Sequence, residues 1–412
     1  MRVIVVQMGA RHRYAVPRML EQAGMLEGLY TDSHAESSLG RLAGMAPNGL
    51  ASRLPGVRRL RDRMIRGIAP ERVRSTDLPA IAGPWLRLLS RNWYGYLRRR
   101  DRLFCLALKH WGAGRATAVY SMMGEGLEFL KWAKRQGLWI ILDIFINPIT
   151  HRILCEERKR WPGWEEQDTV DSSLLERDMN RRIELADLLV CPSEAVVDGL
   201  RYYPSFSAEK VTVAPYGFSA DVGEGFGNPQ QGRVLFGGTA DLRKGIQYFA
   251  LAAHMLRGRG HGLRFRVAGS VTERIRSRPE TQGLEFLGPL PRRNFLAELR
   301  SADVFVLPTL AEGSASVVYE ALACGVPVVT TRSAGSVVTD GVEGRIVPER
   351  DAGALAEAIE QIVKDRALRD RMSAAALKTA AAYTEERWGE RLVAALRQAH
   401  ANWRVPITPV AP

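Results

Sequence analysis

The sequence predicts an α/β protein of two similar halves, each built on a parallel β-sheet wrapped by helices. Three observations lead to this prediction. Short apolar runs alternate with helical patterns, each run is apolar throughout, and a Gly-rich stretch divides the runs into two sets. Strands that are apolar throughout are buried on both faces, which is typical of parallel sheets. At 412 residues the chain is also longer than one ordinary core requires.

Each half supplies five candidate strands. Those of the first half begin at Val3, Ala118, Leu138, Asp187 and Val211, and those of the second begin at Arg233, Leu263, Leu284, Asp303 and Val326. The segments between them have the strand–helix rhythm of βαβ units. After Arg350 the pattern is helical.

These patterns divide the chain into four segments. We expect a first α/β domain over residues 1–215 and a second over 233–384. The stretch 216–232 is rich in Gly with polar and Pro residues, which is typical of a linker between domains. The last helical pattern, within 385–412, lies beyond the second set of strands, and we expect it to pack on the first domain.

The composition is that of a globular protein, with 46% hydrophobic and 25% charged residues. No run of about 18 uncharged apolar residues occurs, which disfavours a membrane-spanning helix. The apolar run at Val3 is too short for a signal-peptide core, so we expect the protein to stay in the cytoplasm. The cysteines lie far apart without a CxxC pair and are interpreted as reduced core residues: Cys105, Cys155, Cys191 and Cys324.

The net charge of +13 is concentrated in residues 51–115, where sixteen Lys or Arg accompany four Asp or Glu, a net of +12. Trp, Leu and Arg interleave there. Three interpretations remain open. The segment is a solvated basic face, a surface that binds the anionic inner face of the plasma membrane, or a nucleic-acid-binding surface. Nucleic acid is the least favoured partner, because no recognisable nucleic-acid motif accompanies the charge.

The stretch TLAEGSASVVYEALACGVPVVTT, residues 309–331, carries Glu312 and Glu320 eight positions apart in apolar surroundings. Ser314 or Ser316 can cap a helix whose first N–H groups would stay open to an anion such as phosphate. Eight helical residues span about 12 Å, which is of the order of a nucleotide sugar from sugar to ribose. A solvated helix Glu and a loop acid are the alternative, which the apolar context disfavours.

A second Gly-rich turn, after the strand at Arg233, places Arg243 and Lys244 near the start of the next helix. Two cations at the C-terminal edge of a parallel sheet suit a diphosphate leaving group. Taken alone the pair is a weak signal, and the two acids strengthen it. The chain contains neither GxxxxGK[ST] nor GxGxxG after its first strand, which disfavours a P-loop protein and a dinucleotide oxidoreductase.

Several of these stretches resemble the retaining glycosyltransferases of family four, which have the two-domain GT-B fold. The resemblance rests on VLFGGTADLRKGI, on the Glu-x7-Glu pattern within PTLAEGSASVVYEALACGVPVV and on SVVTDGVEGRIVPERDAGALAEAI. It is dense from about Asp187 to Ile359 and thin before that. It implies two Rossmann-like domains facing each other across a cleft, the first binding the acceptor and the second binding the nucleotide sugar.

The resemblance implies a role for each matching residue. Glu312 would contact hydroxyls of the donor sugar, and Glu320 would contact the ribose. Lys244 would neutralise the departing nucleoside diphosphate, with Arg243 as a second cation. The remaining donor-side residues would be Gly238, Thr239 and the backbone N–H groups of Ser314, Ala315 and Ser316. Thr239 stands about where many family members carry an Arg.

The acceptor side is less defined, because the loop after the first strand, QMGARHRYAVP, is shorter than in the family. Candidate residues there are Gly9, His12 and Arg13, and His151 is a further candidate. A structural role is the alternative for His151, as it is for His110.

The resemblance implies a reaction with retention at the anomeric carbon. We expect no metal ion, because the chain has no DxD motif and its cations and helix N-terminus can neutralise the leaving group. No cofactor is expected beyond the donor substrate. We therefore predict transfer of a hexosyl unit from a nucleotide-diphosphate sugar to a glycan or lipid-linked acceptor in bacterial surface polysaccharide synthesis. The alternatives are a nucleotide-sugar epimerase on the same architecture and a basic nucleic-acid-binding protein.

Overall fold

The first of two parallel sheets lies in the N-terminal half. The computed structural model describes residues 1–47, 49, 54–219, 222, 227–260 and 262–403. Within them, seven strands pair in the order β3-β2-β1-β4-β5-β6-β7. Their bounds are β1 (Val3–Gln7), β2 (Leu26–Thr31), β3 (Val73–Ser75), β4 (Ala118–Met122), β5 (Trp139–Asp143), β6 (Leu188–Cys191) and β7 (Val211–Val213).

The second sheet lies in the C-terminal half. Six strands of the described residues pair in the order β10-β9-β8-β11-β12-β13, again all parallel. Their bounds are β8 (Arg233–Gly237), β9 (Arg264–Ala268), β10 (Glu285–Gly288), β11 (Val304–Leu307), β12 (Val328–Thr331) and β13 (Gly344–Val347).

Helices connect the strands. In the first half they are α1 (Ala15–Gln22), α2 (Ser38–Met45), α3 (Pro55–Arg61), α4 (Leu78–Ile81), α5 (Gly83–Leu88), α6 (Trp93–Trp111), α7 (Leu127–Arg135), α8 (Thr150–Arg160), α9 (Ser172–Leu185) and α10 (Glu194–Leu200). In the second half they are α11 (Ile246–Gly258), α12 (Glu273–Arg276), α13 (Arg292–Arg300), α14 (Ser316–Ala323), α15 (Ala352–Lys364), α16 (Arg366–Ala380) and α17 (Glu385–Asn402).

All ten predicted strands are present, and both faces of the first sheet are covered. Successive residues of β1 alternate between two apolar clusters, with Val3 and Val5 in one and Ile4 and Val6 in the other. This explains why the run is apolar throughout, because a strand covered on both faces has no solvent side. The predicted α/β architecture with two parallel sheets is therefore confirmed.

Three strands were not predicted, namely β2, β3 and β13. β2 contains Glu27 and Gly28, which interrupt its apolar character. β3 is a three-residue edge strand inside the basic segment, and β13 is a partly exposed edge strand that begins with Gly344. Edge strands, and strands that contain charged or Gly residues, lack the uninterrupted apolar run on which the prediction relied.

The last helix, α17, packs on the first half. Thr384 caps it by accepting a hydrogen bond from the N–H of Arg387. Arg18 of α1 pairs with Glu385, and a Cβ at position 389 would lie 3.1 Å from Met19 Cγ, closer than an ordinary van der Waals contact. The domain boundaries remain predictions. Residues 220–221 and 223–226 of the predicted linker, 404–412 of the tail and 51–53 of the basic segment lie outside the described residues.

The two halves also meet directly beside the cleft. The N–H of Asn147 donates to the carbonyl of Glu312 at 3.2 Å, and the Ser193 hydroxyl donates to the carbonyl of Gly313 at 2.5 Å. A Cβ at position 313 would lie 1.8 Å from the carbonyl oxygen of Phe145. Only glycine therefore allows this approach.

A buried carboxylate makes a second contact between the halves. Glu157 of α8 is fully buried and accepts hydrogen bonds from the Tyr248 hydroxyl at 2.8 Å and from Arg350 Nε at 2.5 Å. Gln247 donates to the same carboxylate at 3.2 Å. A buried charge needs such partners, so this group holds α8 against the second half.

Candidate functional site

A pocket of about 360 Å³ lies between the two halves. The second half contributes Gly238, Arg243, Lys244 and the segment Glu312, Gly313, Ser314, Ala315, Ser316 and Val317. The first half contributes Arg11, His12, Phe145 and Ile146, and Tyr216 follows the first sheet. The structure thus brings the predicted cations and one predicted acid into a single cleft.

Glu312 is the centre of an ion-pair cluster. Its Oε1 accepts hydrogen bonds from Arg243 Nη1 at 2.6 Å and from Lys244 Nζ at 2.7 Å. Burial would raise the pKa of the Glu312 carboxyl, but the two cations hold that pKa below its ordinary value. The group is therefore ionised, and the cluster carries one excess positive charge. Oε2 accepts no hydrogen bond from the described residues.

The turn after β8 orients both cations. Gly238 has a φ of 116°, which side chains other than glycine rarely adopt, and it lies against the Lys244 side chain. Asp241 accepts a hydrogen bond from the N–H of Lys244 at 2.8 Å. Thr239 is exposed and accepts a hydrogen bond from Ser270 at 3.2 Å, and it does not line the pocket.

The start of α14 differs from the prediction in its capping. Its N-cap residue is Ala315, which makes no side-chain capping bond, so neither Ser314 nor Ser316 caps the helix. The Ser314 hydroxyl instead bonds with the Tyr319 hydroxyl at 2.7 Å. The N–H of Ala315 donates to the Ala334 carbonyl at 3.0 Å, which removes it from the predicted phosphate contacts.

Two predicted donors remain at this helix start. Within the part of the chain that the structure describes, the backbone N–H groups of Ser314 and Ser316 donate to no other group. Both residues line the pocket, close to the cations that pair with Glu312. Uncapped N–H groups at a helix start carry partial positive charge, so this wall of the pocket favours an anion.

Glu320 lies one turn further along α14 and does not line the pocket. It pairs with Arg292 Nη1 of α13 at 2.9 Å. The sequence showed no cation on α14 itself, and this partner comes from a different helix. The ribose contact of Glu320 remains a prediction.

His12 is the one predicted acceptor-side residue that lines this pocket. Its ring lies 4.5 Å from that of Tyr216 and 5.3 Å from that of Trp388 of α17. Although the side chain keeps surface open to the cleft, the surrounding protein desolvates the ring. Burial and the neighbouring Arg11 charge lower the pKa of His12 to about 4, so the ring is neutral at neutral pH.

The other acceptor-side candidates lie elsewhere. The N–H of Gly9 donates to Asp32 at 2.7 Å, and Arg13 is exposed outside the pocket. His151 lines a different pocket, where its Nε2 lies 3.2 Å from Asp168 Oδ2. Gly9, Arg13 and His151 therefore do not line this pocket, and their acceptor-side role remains a prediction.

Arg11 is a pocket residue that the sequence analysis missed. Its guanidinium lies 3.3 Å from the centroid of the Phe145 ring. Its Nε is buried and has no hydrogen-bond partner within the described residues. The only available signal was its position beside His12 in the short loop after β1. Arg11 places a third cation across the pocket from Arg243 and Lys244.

A metal site was not expected, and the described residues contain no group of three or more His, Cys, Asp or Glu side chains able to hold a metal ion. The metal independence of the reaction remains a prediction. No helix in the described ranges has the length and hydrophobicity to cross a membrane.

Comparison with known proteins identifies proteins that are similar to this chain. The family model described as glycosyl transferases group 1 matches residues 231–365. The D-inositol 3-phosphate glycosyltransferase of Kribbella flavida is 35% identical over 116 residues, 28% of this chain and 27% of that protein. The protein of the same name from Corynebacterium urealyticum is 29% identical over 296 residues, 64% of this chain and 68% of that protein.

Solved structures share the whole architecture. Sucrose-phosphate synthase from Thermosynechococcus elongatus superposes with a TM-score of 0.69 at 18% identity, covering 98% of this chain and all of that chain. Anabaena HepE, solved in complex with UDP, superposes with a TM-score of 0.57 at 14% identity, covering 97% of this chain and all of that chain. At such identities the likeness shows the fold, and the predicted two-domain fold is confirmed.

Proposed function

Because this chain is a glycosyltransferase with a group 1 domain on a GT-B fold, we propose that it moves a hexosyl unit from a nucleotide-diphosphate sugar to a lipid-linked glycan acceptor. The reaction proceeds with retention and without a metal ion. The acceptor oxygen bonds to the anomeric carbon while the bond from that carbon to the diphosphate oxygen breaks. The bonding electrons leave with the diphosphate, which also takes the acceptor proton.

The observation that carries this proposal is the cluster of Glu312, Arg243 and Lys244 beside the open start of α14. Negative charge grows on the diphosphate as the sugar departs, and fixed cations and N–H groups stabilise it without reorganising. Glu312 holds both cations in place through Oε1. Its Oε2 is then available to accept hydrogen bonds from sugar hydroxyls.

The donor proposal draws support from structural neighbours. Anabaena HepE has been solved in complex with UDP and with UDP-glucose, and a study of trehalose-6-phosphate synthase describes glycosyl transfer with retention. These proteins share the fold of this chain. A UDP-linked hexose is therefore the first donor to test.

The acceptor proposal rests on a basic apolar surface formed by α4, α5 and the start of α6. Trp85 and Leu88 are 71% and 79% exposed, and Leu78, Ile81, Leu89 and Trp93 are exposed beside them. Arg87, Arg91 and Arg99 make no ion pair within the described residues. Exposed Trp and Leu interleaved with unpaired Arg suit an anionic lipid surface, where a lipid-linked acceptor resides.

A small phosphorylated polyol is a second candidate acceptor. The relatives named above are D-inositol 3-phosphate glycosyltransferases. Arg11, with its unpartnered Nε on the first-half wall of the cleft, could hold such a phosphate. This candidate does not explain the basic apolar surface.

The experiment measures nucleotide binding and determines the configuration of the product. Calorimetry with UDP, GDP, ADP and dTDP identifies the nucleotide, and proton NMR of the product reports the anomeric configuration. We expect one nucleotide to bind at least tenfold more tightly than the others, and turnover to continue in EDTA. If no nucleotide binds, the proposed function is wrong. An inverted product contradicts retention, and loss of turnover in EDTA contradicts metal independence.

A further inference from the structure

A second pocket, of about 400 Å³, lies in the first half next to the donor cleft. Ile146 lines both pockets. The apolar lining comes from the ends of β4 and β5 and from three helices, and it includes Trp93, Met123, Ile146, Leu154, Leu175 and Met179. The volume falls within the range of about 300–1,000 Å³ that is usual for small-molecule sites. Ligands of open parallel sheets bind beyond the carboxyl ends of the strands, where this pocket lies.

We infer that this second pocket binds the hydrocarbon chain of a lipid-linked acceptor and directs its polar end to the donor cleft. The inference rests on the proposed transfer to a lipid-linked acceptor and specifies where that acceptor lies.

The polar groups of the second pocket are mostly bonded to one another. Asp168 accepts hydrogen bonds from Trp93 Nε1 at 3.1 Å and lies 3.2 Å from His151 Nε2, and Tyr94 donates to Asp178 at 2.7 Å. A sugar-binding site needs donors and acceptors that are open to hydroxyls. Here the walls are apolar and most of the polar side chains bond to one another, which favours a hydrocarbon.

Arg158 supplies a cation to the same pocket. Its Nε donates to Glu165 at 3.2 Å, while its buried Nη1 has no hydrogen-bond partner among the described residues. Nη1 lies 3.8 Å from Asp168 Oδ2, close enough for attraction but beyond a hydrogen bond. An anionic group at the end of the chain, such as the phosphate that joins a lipid to its glycan, would satisfy this donor.

Residues of the second pocket connect it both to the basic apolar surface and to the donor cleft. Trp93 belongs to the basic apolar surface and is 41% exposed. Asn147 donates its backbone N–H to the Glu312 carbonyl in the donor cleft. A lipid chain in this pocket would therefore lie next to both.

The test fills the second pocket with a larger side chain and measures the binding of a lipid-like probe in the absence of the donor substrate. Dodecyl phosphate, below its micelle concentration, is the probe, and calorimetry gives its affinity for the full chain. Inorganic phosphate and octyl glucoside probe the anionic end and the chain separately. We expect Met179→Trp to weaken dodecyl phosphate binding at least tenfold and Arg158→Gln to weaken it severalfold. Octyl glucoside should lose affinity in Met179→Trp but not in Arg158→Gln.

Leu106→Trp is the matched control, because Leu106 is exposed on α6 and does not line the pocket. Leu154→Trp, at a half-buried position, repeats the test if Met179→Trp does not fold. The inference is overturned if Met179→Trp or Leu154→Trp folds and binds dodecyl phosphate with unchanged affinity. It is also overturned if inorganic phosphate binds as tightly as dodecyl phosphate. Nucleotide affinity should stay unchanged in Met179→Trp and Leu154→Trp, so a failure of the inference is separate from a failure of the proposed transfer.

Discussion

The carboxylate of Glu165 accepts a hydrogen bond from the backbone N–H of Leu242 at 2.8 Å. Glu165 belongs to the first half, and Leu242 immediately precedes Arg243 and Lys244 in the second half. Glu165 also pairs with Arg158 of the second pocket at 3.2 Å. One carboxylate therefore connects the turn that carries the donor-site cations with the pocket that we assign to the acceptor.

Glu165→Ala should lower donor affinity and turnover about tenfold. A hydrogen bond to a charged group contributes about 1.5–3 kcal/mol, and without it the turn holding Arg243 and Lys244 loses its anchor on the first half. Calorimetry with the nucleotide and steady-state kinetics measure both effects. Glu166→Ala is the control, because that neighbouring side chain is 87% exposed. Equal behaviour of the two variants would contradict this positioning role.

Lys244→Ala should lower kcat about a hundredfold while the free energy of unfolding changes little. A fixed charge directed at a leaving group acts mainly in the transition state, and one such interaction is worth about 10²–10³ in rate. Steady-state rates and urea unfolding separate the two effects. Lys364→Ala removes an exposed Lys that pairs with Glu360, and it should leave the rate unchanged. A wild-type rate in Lys244→Ala refutes the assignment.

Glu312→Gln should lower turnover without lowering nucleoside-diphosphate affinity. The carboxylate competes with the diphosphate for Arg243 and Lys244, so its neutralisation frees both cations. The sugar loses a charged acceptor, and the cations lose the group that orients them. Calorimetry with UDP and turnover measured on the same preparation test this split. A parallel loss of affinity and rate would mean that Glu312 has no competing role.

Glu125 should make stability fall as the pH rises. It is buried, and burial raises the pKa of its carboxyl from 4.5 to about 8. The folded protein therefore keeps a proton that the unfolded chain releases above about pH 4.5. This contribution is complete below that pH and is lost progressively up to about pH 8, by about 1.4 kcal/mol per pH unit within that window.

Glu125→Gln, which stays neutral, should flatten this pH dependence. Urea unfolding at pH 5, 6.5 and 8 measures it. Glu128→Gln is the control, because Glu128 pairs with Lys131 and its pKa lies below the ordinary value. If the wild type and Glu125→Gln lose stability in parallel between pH 5 and 8, the carboxyl is not protonated in the folded state.

The basic apolar surface should bind anionic liposomes in a salt-dependent manner. Leu88→Asp places a charge at its most exposed apolar residue and should reduce co-sedimentation at least tenfold. Val342→Asp alters an exposed apolar residue of the second half and should have no effect. Binding of the wild type should weaken as ionic strength rises, because salt screens the attraction between Arg and lipid headgroups. No co-sedimentation at low salt would rule out this surface.

The sequence predicted most of the strands, and it predicted that Arg243, Lys244 and Glu312 lie together, because both leave local signals. Buried parallel strands appear as uninterrupted apolar runs, and Arg243, Lys244 and Glu312 lie in short Gly-rich segments that end strands. The capping of α14 was predicted wrongly, since the Ser314 hydroxyl bonds to Tyr319 on the same helix. The residue preferences of a helix start did not determine whether the Ser314 hydroxyl bonds to a backbone N–H as a cap or to a side chain.

Residue order along the chain determined the two-sheet fold and the charged groups that line the cleft, because strand burial and loop composition are properties of neighbouring residues. Tertiary structure alone decided which distant side chains meet. It paired Glu320 with Arg292, placed Arg11 across the cleft, and moved His151 into the second pocket. These contacts depend on how the two halves and their helices pack. That packing cannot be predicted from the periodicity or spacing of residues within one segment.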